Sequence, residues 1–244
     1  MQTIKGKHAV LEALRSNIVI ERIMISYAIK TTTEVKEIMG LAKKNKIKIQ
    51  TAPNSFFQNN FPDETNTQGI LAYVQDKKLL DLSDILNNKN KYKFVLALDH
   101  IEDPFNFGAI IRTSEIFGVN AIIFPKDRSC QITSGVIKVS SGAINNIDLI
   151  KVVNIAQSLE KLSNNGYWLY GADSNNGEDL DRVEPNAPLV IVMGNEHKGI
   201  STRVLKMLHL KLKIPTIGKT ASLNVSVATG IILNKFMKNI YLDV

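Results

Sequence analysis

Three segments of the chain combine residue types that can do chemistry. The first runs Asp99-His-Ile-Glu-Asp-Pro-Phe-Asn-Phe-Gly108 and leads on to Arg112. The second is Gly194-Asn-Glu-His-Lys-Gly199, and the third runs from Ile214 through Ser222 and Leu223 to Asn224. In the first, Asp103 and Pro104 read as the cap and opening turn of a helix. Asn106 then lies beside free backbone N–H groups, which favour anions. Phe107, Ile110, Ile111, Ser114 and Gly118 fall on one face at about 100° per residue. Arg112 lies off that face, near Ile116; it is either a surface arginine or one that reaches a phosphate or a partner subunit. In the second, Gly194 closes an apolar run and permits close backbone approach, and Gly199 permits a tight turn. Glu196 between them is either solvated or fixes a neighbouring loop. In the third, Ser222 reads as the N-cap of a final helix with Val225, Ala228, Thr229, Ile232 and Phe236 on one stripe. The loop before it exceeds the ~2–6 residues usual between strand and helix, and such loops are often functional.

These loops need strands and helices to hold them. From residue 94 onward, short apolar runs alternate with helical segments. The runs are 94–98, 121–124, 147–152, 167–170, 189–193 and 210–214. Several are apolar without alternation, as in strands covered on both faces, which predicts a parallel sheet with helices on each side. Open sheets of this kind bind ligands beyond the carboxyl ends of their strands, where all three segments sit. Residues 1–76 read as a separate small α/β unit, with helices at 8–15 and 33–45 and strands at 18–26, 47–50 and 68–74. Residues 77–93 are rich in Lys, Asn and Asp, with one short helical patch at 82–86, and read as a linker.

Composition narrows the functional classes. The chain has 244 residues, 44% hydrophobic and 22% charged, an ordinary globular balance. No apolar run approaches the roughly 20 residues that span a bilayer. Glu12 and Arg15 interrupt the place of a signal sequence, so a cytoplasmic location is expected. Cys130 is the single cysteine, which excludes an internal disulfide and a multi-cysteine zinc site. The four histidines, His8, His100, His197 and His209, lack ligand spacing, so no metal is expected. The phosphate-loop patterns of kinases and dinucleotide enzymes do not occur. The net charge is +7 and uneven: residues 1–95 hold 15 Lys and Arg against 9 Asp and Glu. A basic first third, densest at Lys43, Lys44, Lys46 and Lys48, fits a polyanionic partner or a solubilising surface.

Taken together and in order, residues 106–112, 194–199 and 214–226 closely resemble the three motifs of SpoU-type (TrmH-like, SPOUT class) RNA ribose 2′-O-methyltransferases. The resemblance covers residues 94–240. Residues 6–14 and 68–72 resemble parts of that family's ribosomal-protein-like substrate-binding domain, with Thr67 where a His is usual. The resemblance implies a Rossmann-like parallel-sheet domain over 94–244 ending in a C-terminal trefoil knot, a linker at 77–93 and an RNA substrate-binding domain at 1–76. It implies S-adenosyl-L-methionine held by Met193, Gly194, Ile214, Ser222 and Leu223, and catalytic positions at Arg112, Asn106, Glu196 and Asn224. Glu196 would hold Arg112 or the loops. It further implies a homodimer with composite sites and an RNA partner, with a guanosine of large-subunit ribosomal RNA as the target. A tRNA guanosine, or an RNA-binding protein without catalysis, are the competing expectations.

Overall fold

A computed structural model describes all residues except 1, 16–17, 62–66, 76, 175, 221 and 242–244. The chain divides into two units, Met1–Lys77 and Lys78–Val244.

In the first unit, strands β1 (Gln2–Lys5), β2 (Ile20–Ser26), β3 (Lys48–Ala52) and β4 (Ile70–Val74) form one sheet in the order β1-β4-β2-β3. Only β2 and β3 are parallel. Helices α1 (Lys7–Arg15) and α2 (Thr33–Lys44) pack together and against the sheet. They bury Val10, Leu11, Leu14, Val35, Ile38 and Ala42, the residues that recur at helical spacing. Thr32 caps α2, accepting from the Val35 N–H at 3.4 Å. A second apolar cluster joins Met24, Ala52 and Leu71 to Phe57 of α3 (Asn54–Asn60). Lys43, Lys44, Lys46 and Lys48 are all exposed, and the Arg22 guanidinium stacks 4.3 Å from the Tyr73 ring. The strand β1 escapes sequence reading because four residues carry too little pattern.

In the second unit seven strands line up as β7-β6-β5-β10-β8-β11-β9. They are β5 (Phe94–Asp99), β6 (Ala121–Pro125), β7 (Asp148–Val152), β8 (Trp168–Ala172), β9 (Glu178–Asp179), β10 (Leu189–Gly194) and β11 (Leu210–Lys213). Every neighbouring pair is parallel. All residues of β5, β6 and β10 are buried, which is why those runs show no alternation. On one face, α4 (Leu82–Asn87), α7 (Ile155–Asn164) and α8 (Thr202–Leu205) meet Val95, Ala97, Ile123, Ile150, Val190 and Val192. On the other lie α5 (Pro104–Ile116) and α9 (Val225–Tyr241): Phe107 packs 5.2 Å from Phe124, and Phe236 packs 6.1 Å from Tyr170. Between β6 and β7 the chain forms α6 (Ser134–Val139), which presses on α5. A Cβ at Gly108 would stand 2.7 Å from the Val139 Cβ, so the glycine of the first motif permits this helix contact.

The expected linker is corrected. Residues 78–93 belong to the second unit. Leu80 bridges to Ile150 and extends the sheet edge, and Ile85 and Tyr92 are fully buried. Lys91 Nζ and Tyr92 Oη both reach Asp148 Oδ2, at 2.7 and 2.9 Å, and the Asp148 hydrogen bond raises the Lys91 pKa. The segment is polar by count, but its few apolar residues sit at the spacing that covers a sheet edge. Ile85→Ala should therefore lower the unfolding free energy of the second unit by ~2–5 kcal/mol, the usual cost of an emptied core position. Urea unfolding followed through Trp168 fluorescence measures it; a true linker residue would leave the midpoint unmoved.

Candidate active site

Asp99 and Gly194 end adjacent strands in register. From β5 the chain moves outward to β6 and β7, whereas β10 is flanked on its other side by β8 and β11. The order thus reverses between β5 and β10, the position where open parallel sheets leave a crevice for ligands.

The loop after β10 folds back on itself. Asn195 and Gly199 exchange both backbone hydrogen bonds, at 3.0 and 2.9 Å. Asn195 Oδ1 accepts from the His197 and Lys198 N–H groups. Gly199 takes φ +66°, a region that side chains rarely adopt. A Cβ on Gly194 would stand 2.2 Å from the Gly199 carbonyl carbon and the Ile200 nitrogen. The glycine is required by the protein's own backbone.

The first-motif helix begins as expected: Asp103 Oδ2 accepts from the Asn106 N–H at 2.8 Å, and Pro104 opens α5. Asn106 then links the three loops. Its Nδ2 donates to Glu196 Oε1 at 3.1 Å, and its Oδ1 accepts from Asn224 Nδ2 at 2.9 Å. These residues are 90 and 118 positions apart from Asn106, so the tertiary fold alone brings them together. Of the two roles expected for Glu196, holding Arg112 or holding the loops, its contact with Asn106 is the second; the Arg112 Nη1 donates to Ser141 Oγ at 3.3 Å. One expectation needs correction. The cap of α9 is Asn224 instead of Ser222: its Oδ1 accepts from the Ser226 N–H at 2.8 Å and from the Val227 N–H at 3.4 Å. Asn is as good a cap as Ser, and the helix starts two residues later than Ser222 would place it.

A cavity of about 500 Å³ opens beside this chain of side chains. Met193, Gly194, Ile214, Ser222 and Leu223 all line it, as does Glu196. Apolar Leu212 and Ala228 share its wall with Asp173, Lys198 and Lys211. Arg112, Asn106 and Asn224 are not among its lining residues; Asn106 reaches it through Glu196. Such a volume, with apolar side chains on one part of the wall and polar and charged groups on the rest, suits a small molecule that is itself part apolar and part charged. Among the described residues, no group of three or more His, Cys, Asp or Glu could hold a metal ion. The Cys130 thiol is pushed up to about 11, chiefly by burial and further by Asp103 and Glu196, so it stays protonated at neutral pH.

Two features escaped the sequence reading. Asp99 is buried and accepts from the Ser201 N–H at 2.7 Å and from His100 Nδ1 at 2.6 Å. His100 takes φ +65° and its carbonyl accepts from Asn195 Nδ2 at 2.8 Å. Only the type of Asp99, a charge closing an apolar strand, could have flagged them.

The crowding at Gly194 gives a test. Gly194→Ala must displace the 199–200 backbone, and overpacking of this kind costs about 1–3 kcal/mol. The variant should remain folded by circular dichroism while calorimetry with S-adenosylhomocysteine shows at least a tenfold loss of affinity; unchanged affinity would remove the 194–200 loop from the cavity's binding surface.

Comparison with known proteins agrees with this geometry. Residues 93–234 match the SpoU rRNA Methylase family, and residues 3–80 match the RNA 2′-O ribose methyltransferase substrate-binding family. A protein of Staphylococcus saprophyticus, provisionally named a TrmH family tRNA/rRNA methyltransferase, is 37% identical over 98% of this chain and 96% of its own. Among solved structures, the SpoU methyltransferase AviRb of Streptomyces viridochromogenes, in complex with AdoMet, superposes with a TM-score of 0.71 at 17% identity over 98% of this chain and 90% of its own. An AdoMet-bound rRNA methyltransferase of Sinorhizobium meliloti gives 0.71 at 20% identity over 98% and 87%. At these identities the two structures establish the fold. With its second unit carrying all three motif loops at the carboxyl ends of one parallel sheet, the chain belongs to the SpoU (TrmH-like) RNA methyltransferase family.

Proposed function

We propose that the protein transfers a methyl group from S-adenosyl-L-methionine to a ribose 2′-hydroxyl of RNA, with a guanosine of large-subunit ribosomal RNA as its target. The observation that carries this reading is the Asn224–Asn106–Glu196 chain, which joins the three motif loops and reaches the 500 Å³ cavity through Glu196. The residues present fit the donor. Met193, Leu212, Ile214 and Leu223 give apolar surface for an adenine, and the tight 194–199 turn offers backbone groups beside it. The bound donor would supply a methyl group already activated on a sulfonium. The protein's task is then to orient the hydroxyl and help its proton leave.

Arg112 is exposed, and its side chain donates to a neutral hydroxyl, Ser141. A guanidinium is a poor base, because it does not give up its proton under physiological conditions. Arg112 is better suited to bind a phosphate beside the target ribose and stabilise negative charge growing on the 2′-oxygen. Asn106 and Asn224 hold the loops around that oxygen, and Glu196 anchors Asn106 by a charge-assisted bond. The first unit, with its exposed lysines at 43, 44, 46 and 48, would grip the RNA backbone. The reading includes a C-terminal trefoil knot, a cytoplasmic setting and a homodimer. Phe105, Ile116, Val227 and Ile231 are large exposed apolar residues on α5 and α9, which pack together, and they supply an apolar face for a second copy.

Arg112→Ala should lower methyl transfer to RNA by at least a hundredfold while calorimetry shows nearly unchanged affinity for S-adenosylhomocysteine. RNA with a 2′-deoxy target should accept no methyl group; methylation of that substrate would make a base the acceptor and overturn the reaction assigned here. For the assembly, light scattering of the full chain at micromolar concentration should give twice the 27.1 kDa chain mass, and Ile116→Asp with Val227→Asp should return it to a monomer. A monomeric wild type would refute the composite site.

A further inference from the structure

A second cavity, of about 540 Å³, opens beyond the ends of β5, β6 and β7. It shares Asn195, Lys198, Gly199 and Ile200 with the first, so the folded-back 194–200 loop is a wall common to both. Nothing in the reaction above uses it. Its construction is nonetheless specific. His100 and Arg128 line it, and both hold left-handed backbone, at φ +65° and +51°. Non-glycine residues keep such conformations where surrounding contacts impose them. At His100 the contacts are known: buried Asp99 holds Nδ1, and Asn195 holds the carbonyl.

The chemistry of the wall is mixed in an ordered way. Three exposed cations, Arg128, Lys198 and Arg203, line it, and none forms an ion pair or a side-chain hydrogen bond among the described residues. Two exposed carboxylates, Glu102 and Asp127, face the same space, so the exposed groups include one more cation than carboxylate; the third carboxylate, Asp99, balances the formal charge but is buried and held by His100 and Ser201. Pro125, Ile155 and Val153, the last 83% exposed, add apolar surface. A flat apolar group bearing one anionic substituent matches this wall: a nucleobase over Pro125, Val153 and the fixed His100 ring, with a phosphate at Arg128 and Arg203.

We propose that this cavity holds a nucleotide of the RNA substrate that neighbours the methylated one. The proposal rests on the methyl-transfer reading, because the shared loop places the cavity next to Glu196 and the donor site. A free mononucleotide offers the same chemistry, and the test separates the two sources. The full-length protein, saturated with S-adenosylhomocysteine to fill the first cavity, is titrated with a fluorescein-labelled ten-nucleotide RNA of random sequence at several salt concentrations. The double variant R128Q/R203Q should bind it at least fivefold more weakly. Its log–log salt slope should be shallower by about 0.7, since one phosphate contact on a single strand contributes about that much. His100→Ala should weaken binding threefold or more without changing the slope, as loss of a stacking surface would. Equal affinity and slope in the double variant overturn the proposal. GMP is titrated in parallel: loss of GMP binding with the RNA unaffected would assign the cavity to a free nucleotide and also overturn it. All of these readouts are of binding. A protein that loses RNA through R128Q/R203Q yet methylates no RNA would refute the reaction while leaving the cavity assigned.

Discussion

The return of the chain onto Gly194 is the constraint on which the ligand end of the second unit depends. A strand buried on both faces must leave the sheet and turn at once, with its backbone groups satisfied locally. Here the 195–199 turn closes on its own backbone, and the backbone at 199–200 comes so near Gly194 that no side chain fits. The two cavities share this wall. Its thickness is one stretch of backbone, so whatever fills one cavity lies close to whatever fills the other.

The turn is held at both ends by neighbours from other strands. Asp99, the buried carboxylate at the end of β5, accepts the Ser201 N–H, and Asn195 reaches across to the His100 carbonyl. A buried carboxylate without such partners would cost several kcal/mol; with them it pins the first and second motif loops together. On the other side Asn106 receives Asn224 and binds Glu196, so the third loop is tied to the same frame. The site is rigid because each loop carries an amide that satisfies another loop. That suits a reaction with an activated donor, in which position matters more than acid–base strength.

Arg112 stands apart from this network, off the buried face of α5 and exposed. The chain of amides and one carboxylate sets the geometry, and the cation remains available for a polyanion. The same division recurs across the units: apolar residues fix the sheets, whereas the lysines at 43, 44, 46 and 48 and the cations of the second cavity remain at the surface.

Much of this was legible in the residues themselves. Unbroken apolar runs marked the buried parallel strands, because a strand covered on both faces needs no polar side. Asp103 and Pro104 marked the start of α5, because cap chemistry is local. Residues 78–93 misled, since polar composition outweighed the few apolar residues that decide packing. Ser222 misled for a related reason: two good caps lie two residues apart, and the one chosen also had to reach Asn106. The partner of Glu196, the contacts of Asp99 with Ser201 and of His100 with Asn195, and both cavities lay outside sequence reading. They depend on residues about 90 to 120 positions apart, or on strands made neighbours by the sheet order. The sequence alone determined which segments are strands, helices and chemically armed loops, because those follow from local spacing and backbone preference. Only the tertiary structure decided which loops meet, because that follows from how the buried strands pair.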